Sequence, residues 1–248
     1  MKKCLLVIAR YKDERQEIFE KYISPKNKDY CFRHGIEYLL IDNSENLELV
    51  RGNPTWWKFS ILQKLIKGGY FKEGDLFSHF DADMVVVKPE KEYTTNKSFS
   101  YAIDNGNTHC MGNYCLKIND WSVDMIDKIM DEDFYQKNKD KKHWQEFREQ
   151  AAWYSLCGIK PHSWESFLDL PHYGFRSEKE QPSVYDYKQL HTHVEIKTPE
   201  WNNTLLSEEA DNPISQMLEQ YNINKTLAKD CIIRHFAGGQ PWRKEYFE

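Results

Sequence analysis

The amino-terminal part of the chain alternates between apolar runs and stretches with helical periodicity. Residues 3–9, 36–41 and 74–89 carry apolar runs bounded by polar or turn residues, which favours strands. Apolar side chains recur at helical spacing over residues 54–67, and Gly68 ends that pattern. The resulting β-α-β-α-β order predicts an α/β fold with three layers and a mostly parallel central sheet.

The connection between the first two strands is predicted to be helical but broken. Asp13 can cap a first helix, and Pro25 is expected to interrupt it. A second short piece, residues 30–34, then ends at Gly35, a residue type that favours the left-handed conformation after a helix.

The second half of the chain is more mixed. Its pattern predicts strands over residues 99–103, 114–118 and 231–237, helices over 121–130, 143–157 and 207–221, and a polar site loop over 104–112. No repeat or low-complexity linker separates the two halves, so we expect a single domain, 1–248. Within it, residues 1–90 would bind a nucleotide and residues 91–248 an acceptor.

Residues 74–89, GDLFSHFDADMVVVKP, contain the strongest chemical signal in the chain. Asp81 and Asp83 lie between two apolar runs, and alternate residues of an extended chain point the same way. Carboxylate oxygens suit Mg²⁺ or Mn²⁺, which often bridge to phosphates. Acidic pairs are also common in ordinary turns, so the pattern alone leaves both interpretations open.

Composition excludes several classes of protein. Hydrophobic residues make up 40% and charged residues 29% of the 248, which is typical of a globular protein. A net charge of -5 argues against binding to a nucleic-acid backbone. The apolar runs are too short for a membrane span and the amino terminus is a poor signal peptide, so we expect a cytoplasmic protein whose six scattered cysteines are reduced thiols.

Several segments together resemble glycosyltransferases of the GT-A fold (a Rossmann-like fold), and more narrowly the galactosyl/xylosyltransferase family, glycosyltransferase family 34. That family includes fungal galactosyltransferases and plant xyloglucan xylosyltransferases. The matching segments follow one another in order: YCFRHGIEYLLID (30–42), WWKFSILQKLI (56–66), SHFDADMVVVKP (78–89), NYCLKINDW (113–121), EQAAWYSL (149–156) and RHFAGGQPW (234–242).

The resemblance implies a metal site and a catalytic pair. Asp81 and Asp83 would bind Mn²⁺ or Mg²⁺, with Asp81 also able to meet the donor ribose, and His235 would be the third protein ligand. A late strand can bring an imidazole to these carboxylates, and Mn²⁺ accepts mixed nitrogen and oxygen ligands. Gln150 matches the residue that approaches the transferred sugar, and Glu149 an acidic position beside it.

The remaining predicted site residues would contact the nucleotide-sugar donor. The resemblance places Lys58 near that donor and Gly238 in the segment after the metal histidine. Ligands of α/β proteins bind at the carboxyl ends of the strands, which places three further residues at the nucleoside: Arg10, Tyr11 and Asp42.

Three positions depart from the family pattern. Gln240 stands where the family has a phosphate-contacting lysine, and Arg243 or Lys244 is the candidate to supply that charge. Arg148 replaces one carboxylate of the acidic pair before Gln150. Residues 111–113, Met-Gly-Asn, stand in place of an Asn-Thr-Gly signature, one residue closer to the following tryptophan.

The sequence therefore predicts a metal-dependent transfer of a sugar from a nucleotide-sugar, a UDP-hexose or UDP-pentose, to a glycan acceptor. The resemblance implies retention of configuration. Two alternatives stay open: a sugar-phosphate nucleotidyltransferase and a non-catalytic glycan-binding protein. His191 and His193, which would share a face on a strand, are better interpreted as structural than as metal ligands.

Overall fold

The fold is built on a six-stranded sheet. The computed structural model describes residues 1–11, 13–42, 48–104, 109–159, 184–204 and 231–236. The strands of this sheet are β1 (Lys3–Ile8), β2 (Glu37–Ile41), β3 (Leu76–Asp81), β5 (Phe99–Ile103), β6 (His109–Lys117) and β7 (Val194–Lys197). Their order across the sheet is β2-β1-β3-β6-β5-β7. Only β6 runs against its neighbours within the part of the sheet that is described.

Helices cover both faces of the sheet, which confirms the predicted three-layer α/β architecture. The helices are α1 (Glu14–Ile18), α2 (Ser24–His34), α3 (Trp57–Lys67), α4 (Asp120–Met130), α5 (Glu132–Asn138), α6 (Lys142–Phe147), α7 (Glu149–Cys157) and α8 (Tyr187–His193). Along β1, Cys4 and Leu6 enter one hydrophobic core and Leu5 and Val7 the other. Side chains of α3, α4 and α7 fill the first core, and those of α1 and α2 the second.

A second, three-stranded sheet extends the core on the α2 side. It contains β4 (Met84–Val86), β8 (Asn203–Thr204) and β9 (Ile233–His235) in the order β4-β9-β8. The fully buried Asn27 of α2 holds β4 in place, because its amide donates to Met84 O at 2.9 Å and accepts from Val86 N at 3.0 Å. The apolar run after Asp83 thus leaves the central sheet.

The expected break at Pro25 is wrong. A π-helical turn, Phe19–Ile23, joins α1 directly to α2, and Pro25 lies in the first turn of α2. Pro25 therefore lies within a continuous helical run, directly after the π-helical turn, and does not end it. Gly35 ends α2 in the left-handed conformation (φ 62°), as predicted.

The single helix predicted over residues 143–157 is also wrong, since two helices, α6 and α7, occupy this region. Arg148 separates them with φ 52° and ψ -115°, a conformation that is unfavourable for any residue with a side chain. The break lies directly before Glu149, so the carboxylate belongs to the first turn of α7.

The polar segment 104–112 is predicted as a loop, but its second half belongs to β6. Tyr101 and Ala102, adjacent in β5, pair with Tyr114 and Cys110, so residues 111–113 form a bulge with no partner on β5. His109 and Met111 are buried, which is why a polar-looking stretch is part of the sheet.

The His-Thr-His segment lies in α8 and not on a strand. His193 stacks on Trp121 with the ring centres 4.8 Å apart, and its Nδ1 is 2.9 Å from Ser98 Oγ. These contacts agree with the structural interpretation of the pair.

Several predicted features fall outside the described residues: the helix over 207–221 and the positions Gly238, Gln240, Arg243 and Lys244. Within the described part of the chain, every helix is too short or too polar to cross a lipid bilayer.

The six cysteines are free thiols, and they differ in how far solvent can reach them. Burial raises the pKa of Cys4 and Cys31 to about 12 and that of Cys115 to about 11, whereas Cys110 is half-buried.

Because the thiolate is the reactive form, iodoacetamide at pH 8 should label Cys110 first. Peptide mass spectrometry after short exposures measures the order; equally fast labelling of Cys4 would contradict the described packing.

Candidate functional site

The carboxyl end of β3 brings the two aspartates together with the histidine of β9. Asp81 is the last residue of β3, and Asp83 lies in the turn before β4. Because Met84 pairs with His235 in the small sheet, the imidazole lies beside the turn. One ligand atom from each of Asp81, Asp83 and His235 lies within 4.8 Å of the other two. These three residues form the candidate metal site.

Asp83 and His235 face each other directly across the candidate metal site. Asp83 Oδ1 is buried, has no hydrogen bond among the described residues, and lies 3.4 Å from His235 Nε2. Burial acts to lower the pKa of His235, but the Asp83 carboxylate, with a smaller contribution from a hydrogen bond to Cys110, outweighs it and raises that pKa well above its ordinary value. A buried carboxylate oxygen without a donor, opposite an imidazole nitrogen, is a donor set that suits a divalent cation.

A buried lysine connects the metal site to the catalytic candidates. Lys58 Nζ of α3 lies 3.1 Å from Asp81 Oδ1, 3.1 Å from Glu149 Oε1 and 2.9 Å from Met111 O. Its side chain is only 5% exposed. Burial acts to lower the pKa of Lys58, but the two carboxylates outweigh it and raise that pKa, so the ammonium stays charged.

The two oxygens of Asp81 have different roles. Oδ1 accepts from Lys58 and lies 2.9 Å from His79 Nε2. Burial acts to raise the pKa of Asp81, but Lys58 and His79 outweigh it and lower that pKa, so the group is a carboxylate. A Cβ at Gly112 would lie 2.8 Å from Oδ2, so the bulge of β6 brings bare backbone against this oxygen. Asp81 is therefore fixed through Oδ1 and presents Oδ2.

A cavity of about 250 Å³ opens in front of Asp81 and Asp83. Its walls come from the carboxyl ends of β1 and β3, from the start of α3 with the turn before it, and from the start of α7. The lining residues are Ile8, Arg10, Tyr11, Pro54, Thr55, Trp57, Lys58, His79, Asp81, Ala82, Asp83 and Glu149.

Of the three predicted nucleoside contacts, Arg10 and Tyr11 line the cavity and Asp42 does not. The Arg10 guanidinium lies 5.3 Å from the centre of the Trp57 ring, an arrangement that presents a flat cationic surface. Burial raises the pKa of Tyr11, with Asp83 and Asp81 adding to the effect, so its hydroxyl is a neutral donor. Asp42 is exposed after β2.

Glu149 and Gln150, neighbours in sequence, face different surroundings. Glu149 lines the cavity, and its Oε2 is buried with no hydrogen-bond partner among the described residues. Gln150 does not line the cavity: its Oε1 accepts from Met111 N at 2.9 Å, and its Nε2 donates to Tyr154 Oη at 2.7 Å. The amide of Gln150 thus satisfies backbone that the β6 bulge leaves unpaired.

Three supporting residues were not predicted from sequence. The buried His79 contacts Asp81, Gly112 packs against Asp81, and Asn202 contacts His235. His79 carried a usable signal, because it lies two residues before Asp81 on the same strand and therefore on the same face. Asn202 carried none, since its partner is 33 residues away in sequence.

Replacing Lys58 tests the buried charge cluster. Lys58→Met keeps most of the volume but leaves the carboxylates of Asp81 and Glu149 facing each other without a cation. We expect the free energy of unfolding to fall by about 3 kcal/mol, the scale for breaking a buried ion pair.

Urea unfolding measures the change. Lys64→Met, on the exposed face of the same helix, is the matched control and should change stability by less than about 0.5 kcal/mol. Equal effects of the two variants would contradict the role of Lys58.

Two solved structures share the fold over nearly the whole chain. A glycosyltransferase involved in the glycosylation of the major capsid of PBCV-1 aligns with a TM-score of 0.53 at 13% identity, covering 96% of this chain and 94% of that one. The glycosyltransferase GlyE of Streptococcus pneumoniae TIGR4 aligns with a TM-score of 0.52 at 12% identity; the match covers 98% of this chain and 56% of GlyE.

Sequence comparison adds no closer assignment. No protein-family model matches the chain, and no curated protein matches it either. The narrower resemblance to the galactosyl/xylosyltransferase family therefore stays a prediction. The sheet order, the position of the cavity and the two structural matches agree on one conclusion: the chain has the GT-A fold of glycosyltransferases.

Proposed function

We propose that this protein is a metal-dependent glycosyltransferase that moves a sugar from a nucleotide-sugar, a UDP-sugar by preference, to a glycan acceptor. The observation that carries the proposal is the cluster of Asp81, Asp83 and His235 beside a cavity at the carboxyl ends of the strands. In open α/β sheets this edge is where ligands bind. The GT-A fold, shared with two glycosyltransferases, supports the same reaction class.

The chain divides the substrates between its two halves. Residues 1–90 supply Arg10, Tyr11 and Lys58 to the cavity and would bind the nucleotide. Residues 91–248 supply Glu149 and would bind the acceptor, with Gly238 and Arg243 proposed as further donor contacts. Arg10 beside Trp57 offers cationic and aromatic contacts for a base or a phosphate.

The metal site fits Mn²⁺ or Mg²⁺. Two carboxylates and one imidazole provide oxygen and nitrogen ligands, a set that Mn²⁺ accepts readily. Asp81 Oδ2, Asp83 Oδ1 and His235 Nε2 are the proposed ligand atoms. Asp81 Oδ1 and His235 Nδ1 already contact Lys58 and Asn202, and Asp83 Oδ1 is the buried oxygen that faces Nε2. When bound, such an ion neutralises the diphosphate leaving group.

Glu149 is proposed as the group that acts on the transferred sugar. Lys58 keeps Oε1 in place, which leaves Oε2 as the buried oxygen without a hydrogen bond on the cavity wall. A fixed negative charge there would stabilise the positive charge that develops at the anomeric carbon as the leaving group departs. Gln150 would act through Met111 and the bulge of β6 rather than through the sugar itself.

The acceptor hydroxyl is proposed to attack on the face from which the diphosphate leaves, which retains the configuration of the donor. The bond from the anomeric carbon to the acceptor oxygen forms as the bond to the diphosphate oxygen breaks, and the proton of the hydroxyl would pass to that departing oxygen. The support is the single carboxylate with a vacant oxygen, Glu149, among the described cavity residues other than the metal ligands. Lys58 holds the other oxygen of that carboxylate at 3.1 Å, which leaves Oε2 as the oxygen available to the sugar.

Asp83→Asn is expected to lower transfer at least ~10²-fold, the scale for removing one preorganised electrostatic group. The shape of the side chain is kept, so the effect reports the lost charge. Release of the nucleoside diphosphate is measured over a panel of nucleotide-sugars with EDTA-treated protein and added Mn²⁺.

Asp133→Asn, an exposed change on α5, is the matched control and should leave activity unchanged. Full activity of Asp83→Asn would remove the metal assignment. Release of pyrophosphate by the wild-type protein from a nucleoside triphosphate and a sugar phosphate would favour a nucleotidyltransferase instead.

The stereochemical course gives an independent test. We expect the product anomer to keep the configuration of the donor, because Glu149 is proposed to stabilise the positive charge at the anomeric carbon and not to deprotonate the acceptor. Proton NMR of the fresh product distinguishes the anomers. An inverted product would contradict the assignment of Glu149 and require a general base.

A further inference from the structure

His235 is held from both sides, and only one side belongs to the candidate metal site. Its Nε2 faces Asp83 Oδ1 at 3.4 Å, toward the proposed ion. Its Nδ1 lies 2.9 Å from Asn202 Oδ1, on the opposite edge of the ring. The imidazole is 6% exposed and the asparagine fully buried, so water does not compete for this contact.

The backbone around Asn202 is fixed by contacts with two different sheets. Asn202 N donates to Pro199 O at 2.9 Å, which closes the short 3₁₀ helix Pro199–Trp201. Asn113 Nδ2, from the bulge of β6, donates to Trp201 O. The next residue, Asn203, begins β8 and pairs with Arg234 of β9. The amide of Asn202 is therefore presented to His235 from a rigid segment.

An amide oxygen accepts hydrogen bonds and cannot donate them, so a neutral His235 facing Oδ1 must carry its proton on Nδ1. The lone pair then lies on Nε2, the nitrogen directed toward Asp83 and the proposed ion. A hydrogen-bonded partner on the far nitrogen is how proteins select the ligating tautomer of a histidine and orient its ring.

The amide nitrogen of Asn202 lacks a hydrogen-bond partner in the described part of the chain, which indicates that the contact of its Oδ1 with His235 is more than ordinary packing. Asn202 Nδ2 is buried with no hydrogen-bond partner among the described residues. A buried donor without a partner destabilises a fold, so an apolar residue would serve packing better here. What an asparagine offers at this position, and an apolar residue does not, is the hydrogen bond of its Oδ1 with His235.

We propose that Asn202 is a positioning residue that fixes His235 in the Nδ1-protonated tautomer and directs its Nε2 at the divalent cation. The inference rests on the proposed function, because it presumes that His235 is a metal ligand. Asn202 itself contacts neither the cation nor the donor.

The test is calorimetric titration of the full chain with Mn²⁺ alone. Asn202→Leu removes the acceptor and should weaken Mn²⁺ binding about 10- to 100-fold, the usual effect of losing such a partner. Asn202→Asp keeps an acceptor oxygen and should bind within a few-fold of wild type. The matched control is Asn203→Leu, since Asn203 is also buried but its amide makes no hydrogen bond with a described residue; it should not change Mn²⁺ affinity.

A second readout follows the tautomer directly. Long-range ¹H–¹⁵N NMR of the Mg²⁺-saturated wild type should show His235 protonated on Nδ1, and the pattern should persist in Asn202→Asp. Protonation on Nε2 in the wild type would overturn the inference even if Asn202→Leu fails to fold.

The outcomes separate the two proposals. A wild-type protein that binds no Mn²⁺ contradicts the metal-dependent function, and the inference about Asn202 falls with it. A wild type that binds Mn²⁺ while a folded Asn202→Leu binds it equally well overturns the inference and leaves the proposed function intact.

Discussion

A single buried ammonium group, that of Lys58, connects four elements of this fold at one point. It reaches from α3 to a carboxylate at the end of β3, a carboxylate at the start of α7 and a backbone carbonyl in the bulge of β6. Without a cation there, the carboxylates of Asp81 and Glu149 would repel each other in a poorly solvated region. The arrangement of the cavity depends on this interaction, because two of the three carboxylates among its described lining residues, those of Asp81 and Glu149, are fixed through it.

The bulge of β6 is a second structural constraint, and it depends on the buried ammonium of Lys58. Residues 111–113 leave the β5 ladder, so their backbone groups need other partners. Lys58 and Gln150 provide them at Met111, and the absence of a side chain at Gly112 lets the strand approach Asp81. Strands next to functional sites often bulge in this way. The family resemblance places Gln150 at the transferred sugar. Its contact with Met111 gives it a structural role in supporting the bulge.

Local patterns in the sequence predicted the amino-terminal half well. The parallel strands β1 to β3 and helix α3 follow from apolar periodicity, and the Asp81–Asp83 pair from its position between two apolar runs. The prediction that His235 is a metal ligand came from the family resemblance and not from periodicity. The helix break at Arg148 was not predicted, because helical periodicity continues through this residue. The break is visible only in the backbone conformation of Arg148. The bulge and Asn202 were missed because their partners lie far away in sequence.

One divalent ion bound by this chain is proposed to contact both the protein and the diphosphate of a nucleotide. Pulsed electron paramagnetic resonance of the protein with substoichiometric Mn²⁺ and UDP tests it directly, because nitrogen and phosphorus nuclei couple measurably to a manganese ion that they ligate. We predict ¹⁴N coupling from His235 and ³¹P coupling from UDP on the same ion, with the nitrogen signal lost in His235→Gln. A manganese ion that shows ³¹P coupling with no nitrogen coupling in the wild type would contradict the account.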